Sequence, residues 1–307
     1  MAASPTISVV MPVYNNENFL KDSIESILEQ SFSDFEFIII NDGSTDNSSS
    51  IIEKYKLIDS RIKIIHQKKS NTSTVLNKGI KIASGIYIAR MDADDIAMKC
   101  RLKKQLDYIT KYNLDILGSN VHFINQDGVL LGKETKKPLF DSEIKWSLLF
   151  SNPLIHPTIL ARSQLIKKYP YNENHIYAQD YGLWIKLLPF ASFGNLKEKL
   201  LSKRLSSKNT KEKQYLEQKR IIKSCRFIAC RKILGNSMGK EEFLCFWKFI
   251  ENKKMNHREF FIGFKVLNYL YRSIHKINII SKENIKNEFF DIIYKRGVSQ
   301  IKYSIGR

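Results

Sequence analysis

Short runs of β-branched and aromatic residues alternate with helix-type patterns through the first hundred residues, and this alternation restricts the fold more than any other feature. The strand-like runs cover 6–14, 35–40, 61–65 and 86–91, and the segments between them carry apolar residues at helical spacing. Runs that are apolar almost throughout indicate strands buried on both faces. The sequence therefore predicts right-handed βαβ units and a mostly parallel, Rossmann-like α/β sheet flanked by helices.

Three of these runs end in polar or acidic turns. Because ligands of parallel sheets bind at the carboxyl ends of the strands, the turns should lie together at one binding edge. The residues that they bring to this edge are Pro12, Tyr14, Asp42, Asp92, Asp94 and Asp95. A carboxylate after the second strand suits the N–H and O–H donors of a nucleoside. Neither G-x-G-x-x-G nor G-x-x-x-x-G-K-[ST] occurs, so a dinucleotide fingerprint and a P-loop are both unsupported.

Asp92, Asp94 and Asp95 place three carboxylates within four residues. Like charges this close repel, and a cation relieves the repulsion. Hard divalent ions such as Mn²⁺ or Mg²⁺ bind carboxylate oxygen and commonly share their other positions with substrate phosphates. We therefore predict a metal site here. Simpler interpretations remain open at this point, namely a solvated acidic loop for the cluster and a turn or helix-capping role for Asp42.

The region from 101 to 205 carries further candidate residues. It contains a helix at 101–112, a strand at 115–119, a hairpin whose strands 121–125 and 129–131 flank an Asp-Gly turn, and a short helix at 141–150. An isolated histidine such as His156 is more often structural than catalytic. Asp180 precedes an apolar helical face, so a helix N-cap is the simpler interpretation of that residue.

Charge is distributed unevenly along the chain. Residues 1–196 contain 23 Lys and Arg against 21 Asp and Glu, whereas residues 197–307 contain 27 against 10. The near-neutral part forms the predicted catalytic domain, 1–205, and the basic part forms a helical C-terminal region, 206–307. A basic region of this kind suits a polyanionic partner, either lipid headgroups or nucleic acid. Four cysteines without framework spacing and no signal-type apolar segment predict a cytoplasmic setting.

Four blocks in order carry a family resemblance: 7–15, 39–46, 76–79 and 89–95, the last followed by Arg101, Leu102 and Gln105. Their order and spacing resemble the family 2 glycosyltransferases of the GT-A fold from residue 6 to about 205. The resemblance divides the catalytic domain into a nucleotide-sugar-binding half, 1–110, and an acceptor half, 111–205. It implies transfer of a sugar from a nucleotide-sugar donor, most commonly a UDP-hexose, to an acceptor hydroxyl with inversion.

The resemblance also implies a role for each candidate residue. Pro12 and Tyr14 would line a pocket for the base of the donor, and Asp42 would bind that base. The other donor-binding residues are Asn77, Asp92 and Arg204, and the metal ligands are Asp92 and Asp94. The block at 177–184 resembles a family segment with Glu-Asp, whose Asp is the catalytic base, here Asp180. The residues expected on the acceptor side are Asp95, His156, Gln179 and Trp184, with Gln179 replacing the family's Glu. Lys203 replaces the Tyr of the family's Tyr-Arg pair, and Ser206 replaces a His that many members carry near the metal.

The basic region 206–307 interleaves Lys and Arg with aromatic residues over candidate helices at 211–234, 240–252, 256–276 and 282–296. Aromatic residues in such helices most often form core. The combination also suits an anionic bilayer, which predicts a peripheral enzyme on the inner face of the cell membrane acting on a lipid-linked or lipooligosaccharide, O-antigen or capsule acceptor. The competing functions are a sugar nucleotidyltransferase and a basic nucleic-acid-binding protein, and we expect no nucleic-acid partner.

Overall fold

The computed structural model describes residues 4–205, 212–234, 238–276 and 292. The strands are β1 (Ile7–Val13), β2 (Phe35–Asn41), β3 (Ile62–His66), β4 (Tyr87–Arg90), β5 (Ile96–Ala97), β6 (Ile116–Ile124), β7 (Leu130–Glu134), β8 (Leu160–Arg162) and β9 (Phe193–Arg204). The helices are α1 (Glu17–Leu28), α2 (Ser48–Ile58), α3 (Thr72–Ile82), α4 (Arg101–Lys111), α5 (Asp141–Ser147), α6 (Ser163–Lys168), α7 (Gln179–Leu187), α8 (Glu212–Ile233), α9 (Lys240–Ile250) and α10 (His257–Lys276).

One sheet runs through the described part of the chain in the order β3-β2-β1-β4-β8-β6-β9-β5, with β7 paired to β6. The four strands β3, β2, β1 and β4 are parallel. Strand β8 is antiparallel to both β4 and β6, and β6 is parallel to β9. The predicted α/β fold with a mostly parallel sheet is therefore confirmed.

The central strands form because their side chains are apolar on both faces. Every residue of β2 is buried, and in β1 only Pro12 is partly exposed. Pro12 lies beyond the last register pair of β1 with β4, so its missing N–H costs no hydrogen bond on that side. Burying each large side chain, such as Phe37 or Ile39, contributes about 1.5–3 kcal/mol.

The acceptor half differs from the sequence prediction in its strands. The stretches predicted as separate strands at 115–119 and 121–125 form the single strand β6, which is irregular around Asn120 in its pairing with β9. The Asp-Gly hairpin is confirmed, with Gly128 at φ +83° in its turn. Strands β8 and β9 were not predicted. β8 has only three residues, and β9 carries charged residues that interrupt a strand pattern.

The chain forms two compact units, the first comprising 1–139 and 153–222 and the second 140–152 and 223–307. In the second unit, α9 and α10 approach closely at Gly263, where a Cβ atom would lie 2.8 Å from the Cβ of Phe249. The domain boundary predicted at residue 205 adjoins undescribed residues and stays a prediction. The helix predicted at 282–296 lies outside the described residues except at residue 292. Among the described helices, none combines the length and apolarity needed to cross a bilayer.

Candidate active site

The acidic turn, residues 92–95, joins β4 to β5 at the carboxyl edge of the parallel strands. Oxygen atoms from its three carboxylates all lie within 4.8 Å of one another. Asp95 is fully buried; its Oδ1 accepts from the backbone N–H of Arg204 at 2.9 Å, while its Oδ2 has no hydrogen-bond partner among the described residues. An unpaired buried oxygen beside two partly exposed carboxylates is a donor set that fits a hard divalent cation.

The surroundings shift the pKa values of the three carboxyl groups in different directions. Burial, reinforced by Asp92 and Asp94, raises the pKa of Asp95 to about 7, and burial together with Asp92 raises the pKa of Asp94. Burial also opposes ionisation of Asp92, but Arg90 and Lys203 outweigh it and lower the pKa of that carboxyl. A positive charge placed beside Asp94 and Asp95 would therefore stabilise the ionised turn most.

Asp42 follows β2 and is almost fully buried. Its Oδ1 accepts hydrogen bonds from Gln67 Nε2 at 2.7 Å and from the backbone N–H of Ser70 at 2.9 Å. Its Oδ2 accepts from Lys69 Nζ at 2.7 Å. The carboxylate therefore does not cap α2, which begins six residues later at Ser48. It lies instead beside the turn that follows β1, where the base pocket was predicted.

Tyr14 follows β1 directly, at the same edge of the sheet. Its ring is 45% exposed, and Lys69 Nζ lies 3.5 Å from the ring centroid. Gly43, at φ +71°, allows this approach because a Cβ atom there would lie 2.8 Å from the backbone nitrogen of Lys69. Thus one lysine contacts two of the three residues that were predicted to hold the base, Tyr14 and Asp42.

Asn77 projects from α3 towards the segment before α7. Its Nδ2 donates to the carbonyl of Tyr171 at 3.0 Å, and its Oδ1 accepts from the Tyr171 N–H at 2.9 Å. Glu173 Oε1 lies 3.2 Å from the same Nδ2. The side-chain amide is thus engaged by the acceptor half, and donor contact by Asn77 stays a prediction.

His156 and Trp184 lie close together, next to Tyr171 in the segment before α7. The Nε2 of His156 lies 2.7 Å from the Tyr171 hydroxyl, and its ring centroid is 6.4 Å from that of the fully buried Trp184. Burial, followed by repulsion from Arg90, lowers the pKa of His156 well below its ordinary value, so the imidazole is neutral at pH 7. The Trp184 ring packs in the interior and supports His156 instead of facing solvent.

Gln179 and Asp180 occupy the first turn of α7, whose N-cap is Ala178. Asp180 is therefore inside the helix, and the N-cap interpretation is wrong. A carboxylate in the first turn of a helix interacts favourably with the helix dipole. Both side chains are partly exposed. Asp180 thus has the access to solvent that a catalytic base needs, and its role as the base stays a prediction.

Arg204 ends β9 and is buried. Its guanidinium donates to the backbone carbonyls of Asp94 at 2.9 Å, Asn125 at 3.0 Å and Gln126 at 2.5 Å. These bonds hold the acidic turn and the β6–β7 turn to β9. The predicted contact between Arg204 and the donor stays a prediction. The structural role of the side chain is to hold these two turns to β9.

Replacing Arg204 by Met is expected to lower the free energy of unfolding by about 3 kcal/mol, because three partly buried hydrogen bonds from a charged donor are lost together. Chemical denaturation measures this change. Lys197→Met, at an exposed position of the same strand, is the matched control and should stay within about 0.5 kcal/mol of wild type. A stable Arg204→Met variant would contradict the structural role.

Sequence reasoning missed Lys69, Arg90, Tyr171 and Lys203 as neighbours of the site. Arg90 pairs with Asp92, and Lys203 Nζ lies 3.7 Å from Asp92 Oδ2. The replacement of a family Tyr by Lys203 was the one signal in the sequence. Ser206 lies outside the described residues.

A cavity of about 800 Å³ opens beside the segment that leads into α7. Ile176 and Tyr177 line one side, and Leu216, Glu217 and Arg220 of α8 contribute to the other. Its walls combine an aromatic ring, aliphatic groups and charged groups, and its volume falls in the range of small-molecule sites.

A parallel half-sheet with an acidic turn at its carboxyl edge, joined to a mixed half that ends in β9, defines the class of GT-A glycosyltransferases. Crystal structures of Staphylococcus aureus TarS share this fold. The complex of TarS 1–349 with UDP-GlcNAc aligns with a TM-score of 0.61 at 19% identity, over 98% of this chain and 92% of that one. The chain spans about half, 49%, of a longer TarS structure.

The model of glycosyl transferase family 2 matches residues 8–169, and the chain belongs to this family. It is 37% identical over 221 residues to an uncharacterized glycosyltransferase of Methanocaldococcus jannaschii, covering 70% of this chain and 76% of that protein. It is 34% identical over 210 residues to the O-antigen biosynthesis glycosyltransferase WbnJ of Escherichia coli, covering 67% and 82%. The protein is accordingly a glycosyltransferase, and not a sugar nucleotidyltransferase.

Proposed function

We propose that this glycosyltransferase is metal-dependent and inverting, and that it transfers a hexose from a UDP-sugar to a hydroxyl of a surface-polysaccharide acceptor. The observation that carries the proposal is the acidic turn. Its three carboxylates converge at the sheet edge, on the same side as the pocket of Asp42 and Tyr14. Such an edge suits a ligand that has a base at one end and a diphosphate near the carboxylates.

Different residues of the chain would bind the base, accept the proton and hold the metal ion. Asp42 and Tyr14 hold the base, and Asp180 accepts the proton of the acceptor hydroxyl as that oxygen attacks the anomeric carbon. The C–O bond to the diphosphate breaks as the new glycosidic bond forms, so an α-linked donor gives a β-linked product. Asp92 and Asp94, with Asp95 beside them, would hold Mn²⁺ or Mg²⁺. The ion supplies charge neutralisation at the leaving diphosphate.

UDP is supported as the donor nucleotide by the bound UDP-GlcNAc of TarS, a protein of the same fold. A donor panel tests it: UDP-glucose, UDP-galactose, their N-acetyl forms and GDP-mannose are each incubated with Mn²⁺, and release of the nucleoside diphosphate is scored. We expect turnover with one of the UDP-sugars. Turnover with GDP-mannose alone would overturn the donor assignment, and NMR of the product's anomeric proton tests inversion.

The acceptor is proposed to be a lipid-linked or oligosaccharide chain of O-antigen, capsule or lipooligosaccharide type. The similarity to WbnJ supports this class. The cavity beside Tyr177 would receive the acceptor, since it adjoins the start of the helix that carries Asp180. The same assay, run with lipid-linked and free oligosaccharides, tests the proposal, and equal rates with unrelated alcohols would contradict it.

An anionic membrane is the proposed partner of the basic region, with the enzyme at the inner face of the cell membrane. Residues 197–307 carry an excess of 17 positive charges. On α10, Phe261 is 66% and Tyr269 is 48% exposed, and the exposed Lys265 lies between them on the same helix face. Exposed aromatic rings interleaved with lysine suit the headgroup region of an anionic bilayer.

Replacing both Phe261 and Tyr269 by Ser is expected to weaken co-sedimentation with phosphatidylglycerol vesicles roughly ten-fold, because buried apolar area is lost. Tyr112→Ser, at an exposed tyrosine of the first unit, is the matched control. Vesicles of phosphatidylcholine alone should bind poorly throughout. If the double variant binds anionic vesicles as wild type does, α10 is not the contact.

A further inference from the structure

Four basic side chains of the described residues lie around the acidic turn, and three of them are fixed in the interior. Arg101 is fully buried, and its guanidinium donates to Gln105 Oε1 at 3.0 Å and to the Arg90 carbonyl at 2.7 Å. Arg90 is buried against Asp92, and Arg204 is held by its three carbonyls. Arg101 and Arg204 cannot turn towards a ligand without breaking these hydrogen bonds, and Arg90 cannot do so without leaving Asp92.

Lys203 is the fourth basic side chain, and it differs from the other three in its exposure and in its lack of close hydrogen bonds to described residues. Its side chain is 33% exposed, and its Nζ lies 3.7 Å from Asp92 Oδ2 and 4.0 Å from Asp95 Oδ2. Both separations exceed hydrogen-bond distance, so the ammonium neutralises the carboxylates without committing its donors to them. A lysine on a flexible four-carbon stem leaves such an arrangement at little cost.

We propose that Lys203 is the side chain through which this protein binds the diphosphate of its donor. The inference rests on the proposed donor class. The ammonium lies beside Asp92 and Asp95. Phosphate oxygens at the same edge accept stronger, charge-assisted hydrogen bonds from it. A neutral side chain at this position could not supply this charge, so Lys203 gives this chain an additional cation at the leaving group.

Isothermal titration of Lys203→Met with UDP and with uridine, both in EDTA, tests the proposal. We expect UDP to bind about ten-fold more weakly, as for loss of one charge-assisted hydrogen bond, and uridine to bind as it does to wild type. Lys203→Arg should restore most of the UDP affinity. The matched control is Lys197→Met, which removes the same charge from an exposed position of β9 and should change neither affinity.

A second measurement uses the nucleotide-free protein. Since Lys203 competes for Asp92 and Asp95, Lys203→Met should bind Mn²⁺ at least about three-fold more tightly, as followed by the electron paramagnetic resonance of free Mn²⁺. Unchanged UDP affinity, or equal weakening of UDP and uridine, overturns the role of Lys203. Failure of the wild type to bind UDP, while it binds GDP, overturns the UDP assignment instead, and the titrations are then run with GDP and guanosine.

Discussion

Replacing Asp180 by Asn is expected to lower the turnover number for sugar transfer by about 10³-fold and to leave the affinity for UDP unchanged. Loss of a general base costs on the order of 10²–10⁴ in rate, and the amide cannot accept the proton of the acceptor hydroxyl. Asn preserves the volume of the side chain in the first turn of α7, so the fold should be retained. A coupled assay of UDP release and a nucleotide titration measure the two quantities separately.

The matched control for this variant is Asp107→Asn, which makes the same chemical change on an exposed face of α4, where Asp107 pairs with Lys103 at 2.6 Å. It should transfer sugar at the wild-type rate. If Asp180→Asn kept full activity, another group would have to accept the proton, and the assignment of the base would be wrong.

Replacing Asp94 by Asn is expected to lower kcat/KM at least about 100-fold and to weaken Mn²⁺ binding on the order of ten-fold or more, because one of the converging carboxylates is lost. Activity of the variant should recover in part at high Mn²⁺. EDTA should abolish turnover by the wild type, and added Mn²⁺ should restore it.

Asp107→Asn, on the exposed face of α4, is also the control for the Asp94 variant, since Asp107 is not one of the three converging carboxylates. Its activity and its Mn²⁺ affinity should match those of the wild type. Wild-type turnover that persists in EDTA would contradict the metal dependence, and would leave the basic residues around the turn as the source of charge neutralisation.

The sequence predicted the donor half of the fold because its strands are coded locally. The runs that became β1, β2 and β4 are apolar almost throughout, and the polar residues that follow them reach one sheet edge by the rules of parallel sheets. The convergence of Asp92, Asp94 and Asp95 needed nothing beyond their adjacency in the chain. Their placement near the pocket of Asp42 followed from the strand order.

What the sequence could not predict depends on contacts between distant residues. Arg204 bonds to the carbonyl of Asp94, 110 residues earlier, and no pattern near Arg204 encodes a buried guanidinium there. The contact between Lys69 and Tyr14 likewise depends on how closely the loop after β3 approaches Gly43. Strand β8 has three residues and pairs on both sides with strands remote in sequence, so tertiary pairing defines it rather than local propensity.

The hydrogen bonds of Arg204 limit which chimeras of such enzymes would keep the acidic turn in place. The residue that fixes the acidic turn of the donor half comes from the last strand of the acceptor half, and the buried carboxylate of Asp95 accepts from the same residue's N–H. A chimera that joins residues 1–110 of this chain to the acceptor half of a relative therefore inherits a loosened turn unless the incoming strand brings an equivalent arginine. The two halves are exchangeable only as a matched pair.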